Sequence, residues 1–418
     1  MSTSKRGRAH GTVALTAGSA VNGLLAYVFY ALATRHLGAD AAAPVSVLWT
    51  YWSFAGAALT FPLQHWITRS VAAHHGDGAV RSALPAVVGI VVAASGVAGV
   101  LAWLARDALF SRADLWFPAL VAWVTLGSAF VGVVRGGLAA QLRFGSVGLA
   151  LAAENAVRCA AAAVLVVAAV RSPVGFGLCL ALGSLVGLLW PSSFRFSRDP
   201  GGAAGSGTSS PFGFLSGAAG GQLLGQALLT GGPVVLALGG GTPAEVTALF
   251  AALALFRAPY TLALGLVSQL TGKLTRLVVE GNRSAMRRLR IGVGAGTVAA
   301  ALLAAGVGAL AGPMLVRLVF GDQVRIGAPA SSLVAAGSAL ALGNLVLTVA
   351  TMARNRSHAS AAAWVVGAVG AAVVYAVQGP APLARVCWAF VAAEALAFAA
   401  LLTVDVRSSR SGDGPLLQ

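Results

Sequence analysis

Charge is scarce in this chain: only 10% of its 418 residues are Asp, Glu, Lys or Arg, against 58% hydrophobic residues and a mean hydropathy of +0.84. A soluble fold of this length needs far more polar surface, so a soluble globular domain is excluded. Cysteine is nearly absent. Cys159, Cys179 and Cys387 all lie in apolar stretches, where they behave as small apolar residues, and no CxxC pattern or disulfide framework exists. Lysine is rarer still, with Lys5 and Lys273 the two among 28 basic residues. No Gly-Lys-Ser/Thr phosphate loop occurs, which removes the usual signature of nucleotide hydrolysis. No cofactor motif is visible. His74-His75 lacks further ligands at metal-binding spacing, so no metal site is expected.

What the chain has in quantity is long apolar runs. Twelve of them, near residues 12–34, 43–67, 82–105, 115–134, 147–170, 172–194, 212–238, 246–272, 291–316, 326–353, 357–378 and 383–404, are long enough to cross a hydrocarbon core as helices. The expectation is an all-α integral membrane protein of about twelve transmembrane helices. The first run follows Lys5, Arg6 and Arg8, but it is too long for the apolar region of a signal peptide and eleven more follow, so it reads as a retained span. With the N-terminus inside, cytoplasmic segments hold 19 Lys and Arg and external segments 7, while Arg158 and Arg257 lie within spans. Both termini are therefore expected in the cytoplasm, with the protein in the cell membrane. Topology and the anionic inner leaflet account for most of the formal +16 charge. The basic residues are spread over separate loops, so no nucleic-acid partner is expected.

The chain reads as two halves: residues 1–198 with six spans, a flexible Gly/Ser/Pro linker at 199–211, six more spans over 212–404, and a tail at 405–418. Leu37-Gly38 answers to Leu238-Gly239, and Val45-Ser46-Val47-Leu48-Trp49 to Val246-Thr247-Ala248-Leu249-Phe250. Arg69-Ser70-Val71-Ala72 falls on Arg276-Leu277-Val278-Val279 after a short offset. Repeats of six spans keep the same orientation, so two parallel-repeat lobes around a central cavity are expected, as in a two-lobed transporter.

A family resemblance rests on particular residues. Gly18-Ser19-Ala20-Val21-Asn22, then Thr34-Arg35-His36-Leu37-Gly38, then Ile67-Thr68-Arg69-Ser70-Val71-Ala72 resemble the opening of polysaccharide transporters in the multidrug/oligosaccharidyl-lipid/polysaccharide flippase superfamily. Leu255-Phe256-Arg257-Ala258-Pro259, Gln269-Leu270-Thr271-Gly272-Lys273-Leu274 and Glu280-Gly281-Asn282 extend the likeness into the second half. After Leu37-Gly38 the family usually carries acidic residues, an aromatic and then Gly, whereas this chain has Ala39-Asp40-Ala41-Ala42-Ala43. The resemblance implies movement of a lipid-linked saccharide or another anionic amphiphile by alternating access, without enzymatic chemistry.

Charged residues inside spans are functional hypotheses by default because lipid-facing charge is costly. Arg257 has no acid within a turn of its own helix, and Pro259 loosens the backbone beside it. It is expected to line the cavity and to hold a phosphate through its planar fork. Glu154 and Arg158, four apart, are either an ion-coupling pair or a self-neutralised structural one. Glu394 either binds a coupling proton or sodium ion or is an acid satisfied by neighbouring hydroxyls. Asn22, Gln222 and Gln226 either bind sugar hydroxyls or bridge helices, and Arg35 joins the cavity candidates at the end of the first span. Gly213, Gly217, Gly221 and Gly225 form a small-residue stripe suited to close helix packing. Trp49, Tyr51, Trp52 and Phe54 read as an interfacial aromatic belt. A drug or cation antiporter of the same superfamily and a non-transporting membrane interaction protein are the alternatives. A membrane-embedded glycosyltransferase would need a large extramembrane loop with catalytic residues, and no loop is that long.

Overall fold

The computed structural model describes residues 2–74, 78–195, 223–264, 283–353 and 357–410, with Leu274 and Glu280. Among these residues the protein is all-helical. Two compact units divide the chain at residues 226 and 227, and each is described by itself. The expected linker at 199–211 lies outside the described residues, as do Arg276, the His75 half of the histidine pair, and Gly213, Gly217 and Gly221 of the glycine stripe.

Unit 1 begins with α1 (Ser2–Leu37), α2 (Ala39–Ala55) and α3 (Phe61–His74). It continues with α4 (Gly78–Leu104), the short α5 (Arg106–Phe110), α6 (Trp116–Ala140), α7 (Phe144–Val167) and α8 (Pro173–Leu182), whose axis runs on as a 3-10 segment, Gly183–Leu189. Between α2 and α3 the second span passes through a π-helical turn at Gly56–Thr60. Pro62 explains its place: it offers no N–H and crowds the carbonyl a turn earlier, so the ladder widens just before it. The Thr60 hydroxyl donates to the Ser128 carbonyl of α6 at 2.8 Å, tying the bulge to the neighbouring helix.

Residues 223–230 form helix α9, which carries the chain past the division at 226 and 227 into the unit 2 helices α10 (Gly232–Leu238), α11 (Pro243–Phe256) and α12 (Ala258–Leu264). After them come α13 (Arg283–Leu310), α14 (Gly312–Phe320), α15 (Ala328–Ala353), α16 (Ser357–Val377) and α17 (Pro382–Arg410). Among the described residues, eight helices are long and apolar enough to cross a membrane, and Pro173–Leu189 and Pro243–Phe256 are shorter apolar helices. All twelve apolar runs fall on helix within the described residues, and the chain is a multi-pass membrane protein.

Gly38, at φ 84°, turns the chain between α1 and α2. Gly239, which answers to it in the sequence, has φ −84°, and the positive φ between α10 and α11 falls one residue later, at Gly240 (φ 83°). Val45 through Trp49 of α2 and Val246 through Phe250 of α11 are all buried. The start of α11 is fixed by a capping box: the Thr242 N–H donates to Glu245 Oε2 at 2.8 Å, and the Glu245 N–H donates back to the Thr242 hydroxyl at 3.3 Å.

Unit 1 is assembled by close backbone approach. At Gly18 of α1 a Cβ would overlap the backbone of Gly148 in α7, and at Gly132 of α6 it would stand 2.8 Å from the Thr60 carbonyl oxygen. Trp49 departs from the interfacial-belt expectation, while Tyr51, Trp52 and Phe54 are half-buried. Trp49 is only 6% exposed and packs on Phe29 at 5.3 Å, Tyr30 at 6.2 Å and Trp52 at 5.7 Å between ring centroids. A belt needs rings standing at the headgroup level, whereas here the α1–α2 contact draws Trp49 into the interior of its unit, where aromatic edges and faces stack. Tyr30 adds a polar tie, its hydroxyl sharing a 2.6 Å hydrogen bond with Ser46.

Candidate functional site

Each unit buries one polar cluster. In unit 1 it centres on Glu154 of α7, which is 4% exposed. Arg158, a turn later on the same helix, donates from Nη2 to Glu154 Oε1 at 2.6 Å, as the spacing leads one to expect. The second carboxylate oxygen is held from another helix: Arg135 Nη2 of α6 donates to Oε2 at 2.5 Å. Arg135 stands in the cytoplasmic segment when basic residues are counted from the sequence, but α6 continues through it to Ala140 and buries it to 7% exposure. The local reason is that the apolar run resumes with Leu138, Ala139 and Ala140 beyond the arginine, so the helix has no cause to stop there.

Arg158 has every nitrogen engaged. Its Nε donates to the Leu180 carbonyl of α8 at 2.9 Å, Nη1 to Asn155 Oδ1 at 2.7 Å, and its guanidinium lies 4.4 Å from the Trp52 ring centroid. Asn155 carries the chain of contacts to α1, its Nδ2 donating to both the backbone oxygen and Oδ1 of Asn22 at 2.9 Å each. The pair expected from spacing is thus the middle of a network spanning α1, α2, α6, α7 and α8. Its charge is two guanidinium groups to one carboxylate.

In unit 2 the cluster joins α15 and α17. Asn344 Nδ2 donates to Glu394 Oε2 at 2.7 Å and to the Glu394 backbone oxygen at 2.9 Å, and both residues are fully buried. The neighbouring hydroxyls anticipated for Glu394 are replaced by one amide from the tenth span. Glu394 Oε1 and Asn344 Oδ1 find no hydrogen-bond partner among the described residues, nor does the hydroxyl of Thr348, one turn beyond Asn344. Two acceptor oxygens buried without a donor are costly. Either would be satisfied by a proton carried on the carboxyl or by a small cation.

Arg257 closes α11, in a turn before α12 begins, because Pro259 cannot donate to the carbonyl of Leu255. It is half-buried, donates from Nη1 to the Leu229 carbonyl at 3.3 Å, and its charge acts on Glu394. Tyr260, a turn later, lies in the field of both. The structure thus brings Arg257 and Glu394 into one electrostatic neighbourhood. Asn22 joins the unit 1 network, Gln226 is half-buried on α9, and Arg35 is exposed at the end of α1. Gln222 lies outside the described residues. Arg135, Asn155 and Asn344 are missing from the sequence-based set; a polar side chain inside an apolar run was a signal for Asn155 and Asn344, whereas Arg135 follows the run 115–134 and carried none.

No protein-family model matches the sequence, and no curated protein does. Solved structures do match its shape over nearly its whole length. An inward-facing multidrug resistance MATE family transporter of the MOP superfamily superposes with a TM-score of 0.68 at 15% identity, covering 93% of this chain and 95% of that one. The fold is that of the MATE transporters. The lipid II flippase MurJ in an inward closed conformation gives a TM-score of 0.63 at 12% identity, over 94% of this chain and 87% of its own. A MOP superfamily transporter from Pyrococcus furiosus, described as having a binding pocket of reversed polarity, gives 0.58 at 14% identity, over 96% of each chain. The MATE-like fold, about twelve helices in two lobes, agrees with the architecture expected from the apolar runs, and these neighbours are transporters rather than enzymes.

Proposed function

We propose that the chain is a flippase that moves a lipid-linked oligosaccharide, or another anionic amphiphile of that kind, across the cytoplasmic membrane by alternating access. The observation that carries this reading is the sign of the charge inside the spans: Arg135, Arg158 and Arg257 stand against Glu154 and Glu394. An excess of guanidinium in a low-dielectric interior favours an anion on the transport route and disfavours a cation. The superposition with a lipid II flippase supports the same reading. In it Arg257 meets the phosphate of the substrate, Arg35 draws the anion at the external end, and Asn22, Gln222 and Gln226 face saccharide hydroxyls. Glu394 and Asn344 serve the coupling ion, a proton or sodium, a role supported by the unpartnered oxygen that each keeps buried. A multidrug or cation antiporter is the second reading, favoured by that same acidic pair and by the MATE-type neighbours.

The experiment is reconstitution in liposomes with fluorescent lipid-linked oligosaccharide, with and without an imposed proton or sodium gradient. Arg257→Ala is expected to reduce flipping while leaving insertion intact, and Arg257→Lys to retain part of it, since charge survives but the two-pronged geometry does not. Full flipping by the Ala variant removes the role given to Arg257. Gradient-driven uptake of an organic cation with no flipping moves the protein to the second reading.

A further inference from the structure

The start of α13 concentrates positive charge. Arg283, Arg287, Arg288 and Arg290 fall within eight residues, and the chain has no Asp or Glu between Glu280 and Asp322. Neither Arg287 nor Arg288 has an ion-pair or hydrogen-bond partner among the described residues. Packing decides which way these two face. Buried Met286 packs with half-buried Leu289 on Leu274 and on Val349 and Ala350 of α15. At about 100° per residue, Arg287 and Arg288 leave the helix about 130° to either side of that contact, and Ile291 stands nearly opposite it. All three are exposed.

Beyond the arginines the same face is apolar. Ile291 is 56% exposed, Val298 51% and Leu302 71%, and exposed apolar residues continue to Leu310. From Ile291 to Leu310 the helix rises about 28 Å, close to the roughly 30 Å of a hydrocarbon core. That stripe therefore faces lipid tails. Arg287 and Arg288, one turn before Ile291, then stand about 5 Å outside the hydrocarbon, within the headgroup layer. Helix α4 of unit 1 offers a comparison: Val88 and Val92 expose an equally apolar face, but its first turn carries a single cation, Arg81.

We infer that Arg287 and Arg288 form a docking surface for an anionic glycerophospholipid whose headgroup carries no amine, its phosphate held by the two guanidinium groups and its acyl chains lying along Ile291, Val298 and Leu302. Each guanidinium offers a planar fork matched to two phosphate oxygens. A choline or ethanolamine headgroup brings its own cation up to the arginines and loses part of the attraction. The surface lies apart from the residues assigned to the substrate and to the coupling ion, and stands whether or not those assignments do.

The test titrates the full chain, in uncharged detergent micelles, into tail-labelled phosphatidylglycerol and follows fluorescence anisotropy. Unlabelled phosphatidylglycerol should displace the probe, and phosphatidylcholine with the same chains far more weakly. The double variant Arg287→Gln/Arg288→Gln should bind about 30-fold more weakly, the loss expected for two cations at a membrane surface. Arg81→Gln should leave binding unaltered. With the unaltered protein, raising NaCl from about 50 to about 500 mM should weaken binding, since exposed charges are screened. Equal displacement by the two lipids, an unaltered affinity in the double variant, or insensitivity to salt overturns the proposal. An equal loss in Arg81→Gln reduces the effect to general surface charge and also overturns it. Displacement by millimolar inorganic phosphate as effective as that by phosphatidylglycerol makes this a site for free anions and refutes the lipid assignment.

Discussion

Replacing Glu154 by Gln tests the unit 1 network where its energy is concentrated. The carboxylate receives charged hydrogen bonds at 2.5 and 2.6 Å from two guanidinium groups, and the three side chains are only 5%, 8% and 1% exposed for Glu154, Arg135 and Arg158. At an effective dielectric of about 20 and a charge separation of about 4 Å, each attraction is worth about 4 kcal/mol before desolvation is set against it. The amide keeps one acceptor for one arginine, but it removes both attractions and leaves two cations facing each other. Breaking a buried pair by deleting one partner costs about 3–5 kcal/mol, and the uncovered repulsion places Glu154→Gln at the upper end. Arg135→Gln should cost only about 1–2 kcal/mol, since the neutral Glu154–Arg158 pair survives it. The double variant should then be more stable than the sum of the single losses by about 2 kcal/mol or more. Unfolding in mixed micelles, read by circular dichroism across a denaturant titration, gives all three values. A Glu154→Gln cost no larger than that of Arg135→Gln, or strictly additive losses, would refute the assignment of Glu154 as the shared counter-charge.

Three further outcomes are expected. Gly18→Val forces a branched side chain into the Gly148 backbone, so α1 must move off α7 at a cost of about 1–3 kcal/mol or more, visible as a lowered Tm and poor recovery of folded protein. Thr242→Ala removes the capping box at the start of α11 and should cost about 1 kcal/mol in the same unfolding assay, with Thr242→Ser close to unaltered. A reporter fused after Arg287, at the basic start of α13, should be reachable only from the cytoplasmic side, and labelling from outside would reverse the orientation drawn from basic residues.

The number and placement of the helices could be read directly, because the thickness of a hydrocarbon core sets a minimum length for every apolar run and leaves the backbone no other conformation. The Leu37-Gly38 and Leu238-Gly239 match was legible only approximately, since the positive φ of Gly38 is matched at Gly240 and not at Gly239. The Glu154–Arg158 pair was legible, because its partners lie within one helical turn. What the sequence could not determine alone was everything decided between helices. Arg135 reads as a loop cation until α6 packs against α7 and its guanidinium meets a carboxylate 19 positions away. Asn344 reads as one polar residue in an apolar span until α15 and α17 pair it with Glu394, 50 positions on. Trp49 reads as an interfacial ring until α1 supplies Phe29 and Tyr30 to bury it. Helical periodicity reports which residues share a face, but the identity of the neighbour opposite that face depends on which helices touch. In a chain where nearly every face is apolar, local pattern does not distinguish one neighbour from another, and the few polar contacts that do are formed only by the tertiary fold.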